Sequence, residues 1–519
     1  MDPFQQLKHG GTLNVAEIQF NTSFNYMFPL LAENPECLLA PGATTQGALL
    51  ALGTAMASDD LALPNDSPIP AVFTYLGQLI DHDITAQTDR EIGISRIATP
   101  DGNVMDITPI PSKDVAEKIV NGRRPELDLD NVYGDGPALG SGPNLGVTEA
   151  DVLFDANKKF KVVHIPGGPV PGGGFDVPRQ PDGTAIIADM RNNENLNISQ
   201  LHCAFLQFHN KVAAALPAAL SDDQRYIQAR RLVRWAYQYV VLHDYLRNVC
   251  DPVVVDDVLT NGLRYFSPDV DEIFMPLEFS IAAFRFGHSM IRPQYKINTA
   301  TTLPIAAASP TVSVLNATLG PQLPVLGPAK ALAPANVIQW RNFIHVPPQP
   351  APQMARKIDP LIATGLGTLP ITLPGSTLPI GALLQHLARR NLLRGFLLSV
   401  PTGQAIASAM DITPLKPADL TANVSPAVAN AVVAGGFDYA TPLWYYILQE
   451  ANFQHNGKFL GSVGSRIVAE TLYGLVRRYP SSYLSSPLDP AVKSNGIEVA
   501  AGHVIGTIAE FLEFSGAPL

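Results

Sequence analysis

The chain has 519 residues, 46% of them hydrophobic and only 16% charged, with a formal net charge of −11. That length buries a large core, and that sign of charge excludes nucleic acid or an anionic membrane as the main partner. Three cysteines (Cys37, Cys203 and Cys250) are too few for a disulfide framework, and the first residues show no basic stretch followed by an apolar run. No secretory signal is therefore expected, which leaves the cytoplasm or a non-classical export route.

In chain order, the first informative segment is an apolar run from Val72 that ends in Gln78-Leu79-Ile80-Asp81-His82-Asp83. As a helix it puts Gln78, Asp81 and His82 at i, i+3 and i+4 on one face, with Asp83 turned about 100° away. On its own, Asp-His-Asp fits a structural metal site or a solvated helix end as well as catalysis. Residues 124–134 alternate acidic side chains with apolar ones (Glu126, Asp128, Asp130), which reads as an acidic turn beside a strand or as a set of hard oxygen ligands. Arg191 and Glu194 share a face if their segment turns helically, and a surface ion pair explains them equally well.

Helical periodicity then dominates. Residues 196–215 carry one apolar stripe, with Leu201, Phe205, Phe208 and Val212, and residues 222–249 form a long amphipathic run opened by a Ser221/Gln224 capping box. Cys203 and Cys250 fall in these patterns and read as buried thiols. Further helices are predicted near 277–290, 380–397, 402–410, 440–453, 464–478 and 502–514. Residues 297–329 carry no charge and five prolines, a density that breaks helices and excludes a membrane span, so they read as a long loop. The connections are rich in proline and glycine but apolar, and strands are few. The expected architecture is one large, mainly α domain over 1–519: an N-terminal wrapping segment (1–65), a core (66–480) and a C-terminal segment (481–519).

Two further clusters carry chemistry. His288 ends Arg285-Phe286-Gly287-His288, and Asn391 lies in Arg389-Arg390-Asn391-Leu392-Leu393-Arg394. Taken alone, each suits a buried helix face. Together, Gln-x-x-Asp-His-Asp, Arg-x-x-Glu, Arg-Phe-Gly-His and Arg-Asn-x-x-Arg occur in the order of the animal-type haem peroxidase superfamily, which includes myeloperoxidase and lactoperoxidase. The chain resembles that superfamily over residues 70–480, and its bacterial single-domain members most.

The resemblance implies a mainly α, myeloperoxidase-like fold and a haem b-dependent peroxidase that reduces hydrogen peroxide. Small anions (bromide, iodide, thiocyanate) or aromatic donors would be oxidised. It implies His82 as distal base, Arg191 as the cation over the O–O bond and Gln78 as a donor to distal water or anion. His288 would bind the haem iron with Asn391 on its other ring nitrogen, and Arg285 and Arg394 would pair with the propionates. Asp81 and Glu194 match the carboxylates that form ester bonds to haem. Asn195 stands where a sulfur-linked member has methionine, so no third link is expected and chloride should be a poor substrate. A calcium ion is also implied, held by Asp83, Asp128 and Asp130 with the Arg124 and Glu126 carbonyls. A rival within the superfamily is a fatty-acid oxygenase, but its radical tyrosine would fall at position 285, which is arginine. A second rival is a haem-binding protein with incidental activity, which would not need His82, Arg191 and Gln78 together.

Overall fold

The computed structural model describes residues 22–58, 65–86, 108–137, 139, 152–181, 183–267, 273–305, 331–347, 351–369 and 385–519, with backbone alone at three two-residue strands, Leu7–Lys8, Gly11–Thr12 and Gln87–Thr88. It is mainly helical. The principal helices are α1 (Ala43–Met56), α2 (Val72–Ile84), α3 (Leu196–Ala215), α4 (Asp222–Val240), α5 (Leu387–Leu397), α6 (Leu443–His455), α7 (Ser462–Arg478) and α8 (Ile508–Ser515). Strands are short. A four-stranded sheet runs in the order Phe274–Pro276, Thr22–Asn25, Val120–Asn121, Gln87–Thr88, its first pair parallel and the others antiparallel. No helix among the described residues is long and apolar enough to cross a membrane.

The stripe on residues 196–215 is realised as α3, with Phe208 stacked on Phe511 of α8 at 3.8 Å between ring centroids. The run 222–249 is one continuous helical rod, α4 passing through a π-helical turn (Val241–Tyr245) into Leu246–Val249. Both halves of the capping box form: Gln224 N–H donates to Ser221 Oγ, and Ser221 N–H to Gln224 Oε1. Cys203 and Cys250 are buried free thiols. Residues 277–290 depart from a regular α-helix, being a π-turn (Glu278–Ala282) followed by a 3-10 turn (Ala283–His288). The predicted start of the last helix at 502 is wrong. His503–Ile505 is a strand paired with Gly496–Ala500, and the helix starts only after Thr507, whose hydroxyl accepts from Glu510 N–H in a capping box. Residues 306–329 of the uncharged stretch lie outside the described residues, as do 380–384 of the predicted helix 380–397.

Helix α2 is the axis of the site. Every one of its residues except Gln78 is buried, so both its ends must be satisfied by protein. At the N-terminus, Ala71 N–H donates to Gln353 O (3.0 Å) and Val72 N–H to Phe343 O (3.1 Å). At the C-terminus, Thr85 Oγ1 donates to Asp81 O (2.8 Å) and Asn121 Nδ2 to Ile84 O (2.9 Å). Gly77 lets Tyr245 of the π-turn lie against the helix: a Cβ there would be 2.5 Å from the tyrosine hydroxyl.

Candidate active site

Four segments distant in sequence line one cavity, about 880 Å³ including its open mouth. From α2 come Gln78 and Asp81, and from the turn Met190–Asn193 and the residues after it come Glu194 and Asn195. The 3-10 turn supplies Arg285 and His288, and α5 supplies Leu387 and Arg390. The rest of the lining is largely apolar, including Phe73, Phe284, Ile291 and Leu369. A volume of this size with a few convergent polar groups is what a large cofactor or ligand needs.

On the α2 side, Gln78 Nε2 donates to Glu194 Oε1, and Asn195 Nδ2 donates to Gln78 Oε1 at 3.1 Å. Asn195 also caps α3, its Oδ1 accepting from Ile198 N–H (3.0 Å). His82 is fully buried and does not itself line the cavity. Its Nε2 faces Glu194 Oε1 at 3.6 Å, and its Nδ1 lies 2.8 Å from Asn192 Oδ1. Burial raises the Glu194 pKa above the usual carboxylate value, while the nearby His82 ring opposes the shift. Asp81 Oδ1 accepts from Thr85 Oγ1 at 2.9 Å.

Arg191 is not where the motif led us to expect it. Its guanidinium turns away from the cavity onto Asp189, with Nη2 to Oδ2 at 2.6 Å, and donates to Thr85 O and His82 O, each at 2.7 Å. Asp189 also accepts from Arg123 and is fully buried. Burial alone would raise its carboxyl, but Arg191 and Arg123 hold it well below the usual range. A buried carboxylate two residues away outcompetes the cavity for the guanidinium, because an unpaired charge there would be far costlier. Besides Arg285, the arginine that reaches the cavity is Arg390, whose place in the sequence marks it only as a flank of Asn391. Desolvation, then Arg285, pushes its pKa down to about 10, with Glu194 pulling it back up.

On the other side, the Asn391 side-chain amide lies 2.8 Å from His288 Nδ1. The neighbouring Arg285 donates from Nε to Ser280 O (2.9 Å), and Trp444 Nε1 holds the Arg285 carbonyl (3.1 Å). Arg394 is half-buried and outside the cavity lining. It sits one turn beyond Arg390, about 6 Å further along the axis, past the stretch of α5 that borders the space.

Asp83, on the opposite face of α2, meets Asp128 and Asp130, with one carboxylate oxygen from each lying within 4.8 Å of the others. Burial raises the Asp83 pKa well above the usual range, and Asp130 and Asp128 add to this. Burial also carries Asp130 up to about 7, against the pull of Arg123. Neither oxygen of Asp83 or of Asp130 reaches a hydrogen-bond donor at good geometry. The loop is bent by two buried leucines with left-handed backbone, Leu127 (φ 50°) and Leu129 (φ 63°). Such residues cost on the order of 1–2 kcal/mol each and persist where the surroundings hold them. Glu126 N–H donates to Arg124 O (2.9 Å), which leaves that carbonyl a second lone pair. Glu126 itself has a raised pKa, from burial and then Asp128.

The animal haem peroxidase family model matches residues 168–330, a span that contains Arg191, Glu194, Arg285 and His288. Human thyroid peroxidase is 31% identical over 193 residues, 34% of this chain and 20% of that protein. Peroxidase mlt-7 of Caenorhabditis elegans is 32% identical over 111 residues, 21% of this chain and 15% of that protein. The matched region thus spans about a fifth or less of these relatives' length. Among solved structures, Peroxidase A from Dictyostelium discoideum aligns with a TM-score of 0.58 at 15% identity, covering 99% of this chain and 96% of that one. A variant of the Oryza sativa fatty acid alpha-dioxygenase, solved with palmitic acid, aligns with a TM-score of 0.54 at 15% identity over 93% and 80%. The family match across residues 168–330 and the ordered motifs around one cavity make the chain similar to the animal haem peroxidases, and the solved structures share its fold.

Proposed function

We propose that this chain is a haem-dependent peroxidase that reduces hydrogen peroxide and oxidises a small anion or an aromatic donor. One observation carries the reading: His288, with Asn391 on its Nδ1, shares a single cavity with Gln78, Asp81 and Glu194, behind which His82 stands. The residues fit haem. Asn391 engages Nδ1, so metal ligation falls to Nε2 of His288, and the apolar walls suit a macrocycle. Arg285 and Arg390 are the cavity's cations for its propionates, and Asp81 and Glu194 are carboxylates placed for ester links. Haem bound there would supply the two-electron chemistry of peroxide reduction.

The protein's own groups then act as follows. His288 would hold the iron through Nε2, and its Nδ1 would then carry the proton and donate to Asn391 Oδ1, with the amide turned over by 180°. His82 Nε2 takes a proton from peroxide and returns it to the departing oxygen. Gln78 and Glu194, bonded to each other, are the side chains between His82 and the cavity. Glu194 would hold the haem through an ester link, and His82 Nε2, which now faces that carboxylate, would then be left to exchange the proton. Arg191 acts behind His82 by holding its carbonyl, and Arg390 supplies positive charge within the cavity. Calcium at Asp83, Asp128 and Asp130, with the Arg124 and Glu126 carbonyls, would neutralise three buried acids and fix the start of this constellation.

A fatty-acid oxygenase has in its favour the apolar lining and the likeness to the alpha-dioxygenase. Arg285 in place of a tyrosine three residues before His288 weighs against it. Absorption spectra of the haem-loaded protein with and without peroxide test the proposal. A Soret band that shifts on equimolar peroxide and returns on adding iodide or a phenol is expected. A band unchanged by peroxide would refute it.

A further inference from the structure

His82 is one link in a buried chain of polar groups that lie far apart in the sequence. Asn192, in the turn Met190–Asn193, is fully buried, and its amide meets three partners. Oδ1 lies 2.8 Å from His82 Nδ1, and Nδ2 lies 3.2 Å from Asn131 O and 3.0 Å from His202 Nδ1. The orientation of an amide is ordinarily ambiguous, but here one partner settles it. Asn131 O is a backbone carbonyl and can only accept, so the atom facing it must be the NH₂ group. Oδ1 is then forced towards His82 Nδ1, and an amide oxygen can only accept, so Nδ1 must carry the proton. The second N–H of Asn192 points at His202 Nδ1, which must therefore be an acceptor. Burial fits this, pushing the His202 pKa down to about 4 and keeping the ring neutral.

We infer that Asn192 is a positioning residue that fixes the tautomer of His82, holding its proton on Nδ1 so that the Nε2 lone pair is turned towards Glu194 and the cavity. The inference rests on the proposed role of His82 as the base. A neutral imidazole is a base only at the nitrogen without hydrogen, so a fixed tautomer decides whether His82 can accept a proton from peroxide at all. The anchoring carbonyl belongs to Asn131, adjacent to Asp130, and the Asn131 side chain donates to Leu79 O of α2 at 3.2 Å. The acidic loop and the base are thus joined through one amide.

The test uses the haem-loaded full chain and its Asn192→Leu, Asn192→Asp and His82→Leu variants. Two quantities are read: the bimolecular rate with hydrogen peroxide, and the C–O stretching frequency of the reduced carbon monoxide complex at alkaline pH, where ordinary imidazoles are neutral. Asn192→Leu removes the acceptor. It should slow the peroxide reaction roughly 10- to 100-fold, short of the full loss of a base, and lower the C–O frequency because Nε2–H now points at the ligand. Asn192→Asp keeps an acceptor for Nδ1–H and should retain the wild-type frequency and a rate within a few-fold, even if the fold is weakened at Asn131. A wild-type rate and frequency in Asn192→Leu, with His82→Leu slow, would overturn the tautomer account and leave the base assignment standing. Wild-type rates in both would overturn the base assignment and this inference with it. Should Asn192→Leu fail to take up haem, Asn192→Asp decides: a lowered frequency there refutes the inference.

Discussion

Arg191 donates to the backbone carbonyl of His82 at 2.7 Å while its other donors go to Asp189 and to Thr85 O. The arginine of the Arg-x-x-Glu motif is therefore a brace behind the histidine, and two separable effects are expected. Arg191→Ala strips a partner from a buried carboxylate and should lower unfolding stability by about 3–5 kcal/mol, read by denaturant titration. Arg390→Leu removes a charge that burial already disfavours, so it should leave stability near wild type while weakening haem uptake or the peroxide reaction. A stable Arg191→Ala protein with only a rate defect would show that the guanidinium works in the cavity after all.

His288→Ala should lose most bound haem and all turnover, measured by Soret absorbance per chain and by guaiacol or iodide oxidation. Asn391→Leu should keep haem but lower the rate about 10- to 100-fold, the usual scale for a group that orients a metal-bound histidine. Equal haem content and rate in His288→Ala would remove the axial assignment.

Asp81 and Glu194 both line the cavity, so peroxide-treated enzyme should retain haem through acid–organic extraction. Asp81→Asn and Glu194→Gln should each reduce the attachment count by one in intact mass spectra. Asn195 is committed to Gln78 and to the cap of α3, and it offers no sulfur. Chloride should accordingly be oxidised far more slowly than bromide at neutral pH, and equal rates would show that position 195 does not govern the choice.

Removing calcium should lower the melting temperature, because Asp83, Asp128 and Asp130 are left as three buried acids in mutual repulsion. At 100 times the dissociation constant, the ion adds about 2.7 kcal/mol. Calorimetry with EGTA and with added calcium checks this. Asp83→Asn should melt at a temperature that no longer responds to calcium.

Glu450 is fully buried on α6 and accepts from Val463 N–H (3.0 Å) and Gly464 N–H (3.1 Å) at the start of α7. Burial outweighs those bonds and raises its pKa to about 7. Its folded value lies above the unfolded one, so the folded state binds the extra proton. The stability this confers is complete below about pH 4.5 and is lost as pH rises through 7. Glu450→Gln should therefore gain on the wild type in melting temperature between pH 5 and pH 8. A constant difference across that range would contradict the shift.

Much of this was readable in the residues. The i, i+3, i+4 spacing of Gln78, Asp81 and His82 fixes which side chains share a face of α2, and Asp83 falls on the opposite face, where Asp128 and Asp130 meet it. Spacing does not say which way a long side chain turns. Arg191 reaches back to Asp189 because burial makes that pairing compulsory, and the only hint in the sequence was the Asp-x-Arg step. Arg390 and Arg394 share a helix face, but the extent of the cavity along α5 decides between them. Asn192 carried no signal, since its role depends on a carbonyl some sixty residues earlier, at Asn131. The misplaced start of α8 was avoidable: Gly502 and Gly506 punctuate the strand, and Thr507 with Glu510 spells the cap.

The contact between Gly77 and Tyr245 has a consequence for what the enzyme can admit. Both residues border the cavity, and there is no room for even a methyl group between them. The width of the chamber beside Asp81 is therefore set by an atom that is missing. A single carbon added at position 77 would displace the phenol and so reshape the cavity wall, without altering any group that does chemistry. The room beside Asp81 is thus governed by the bulk at a position that carries no functional group of its own.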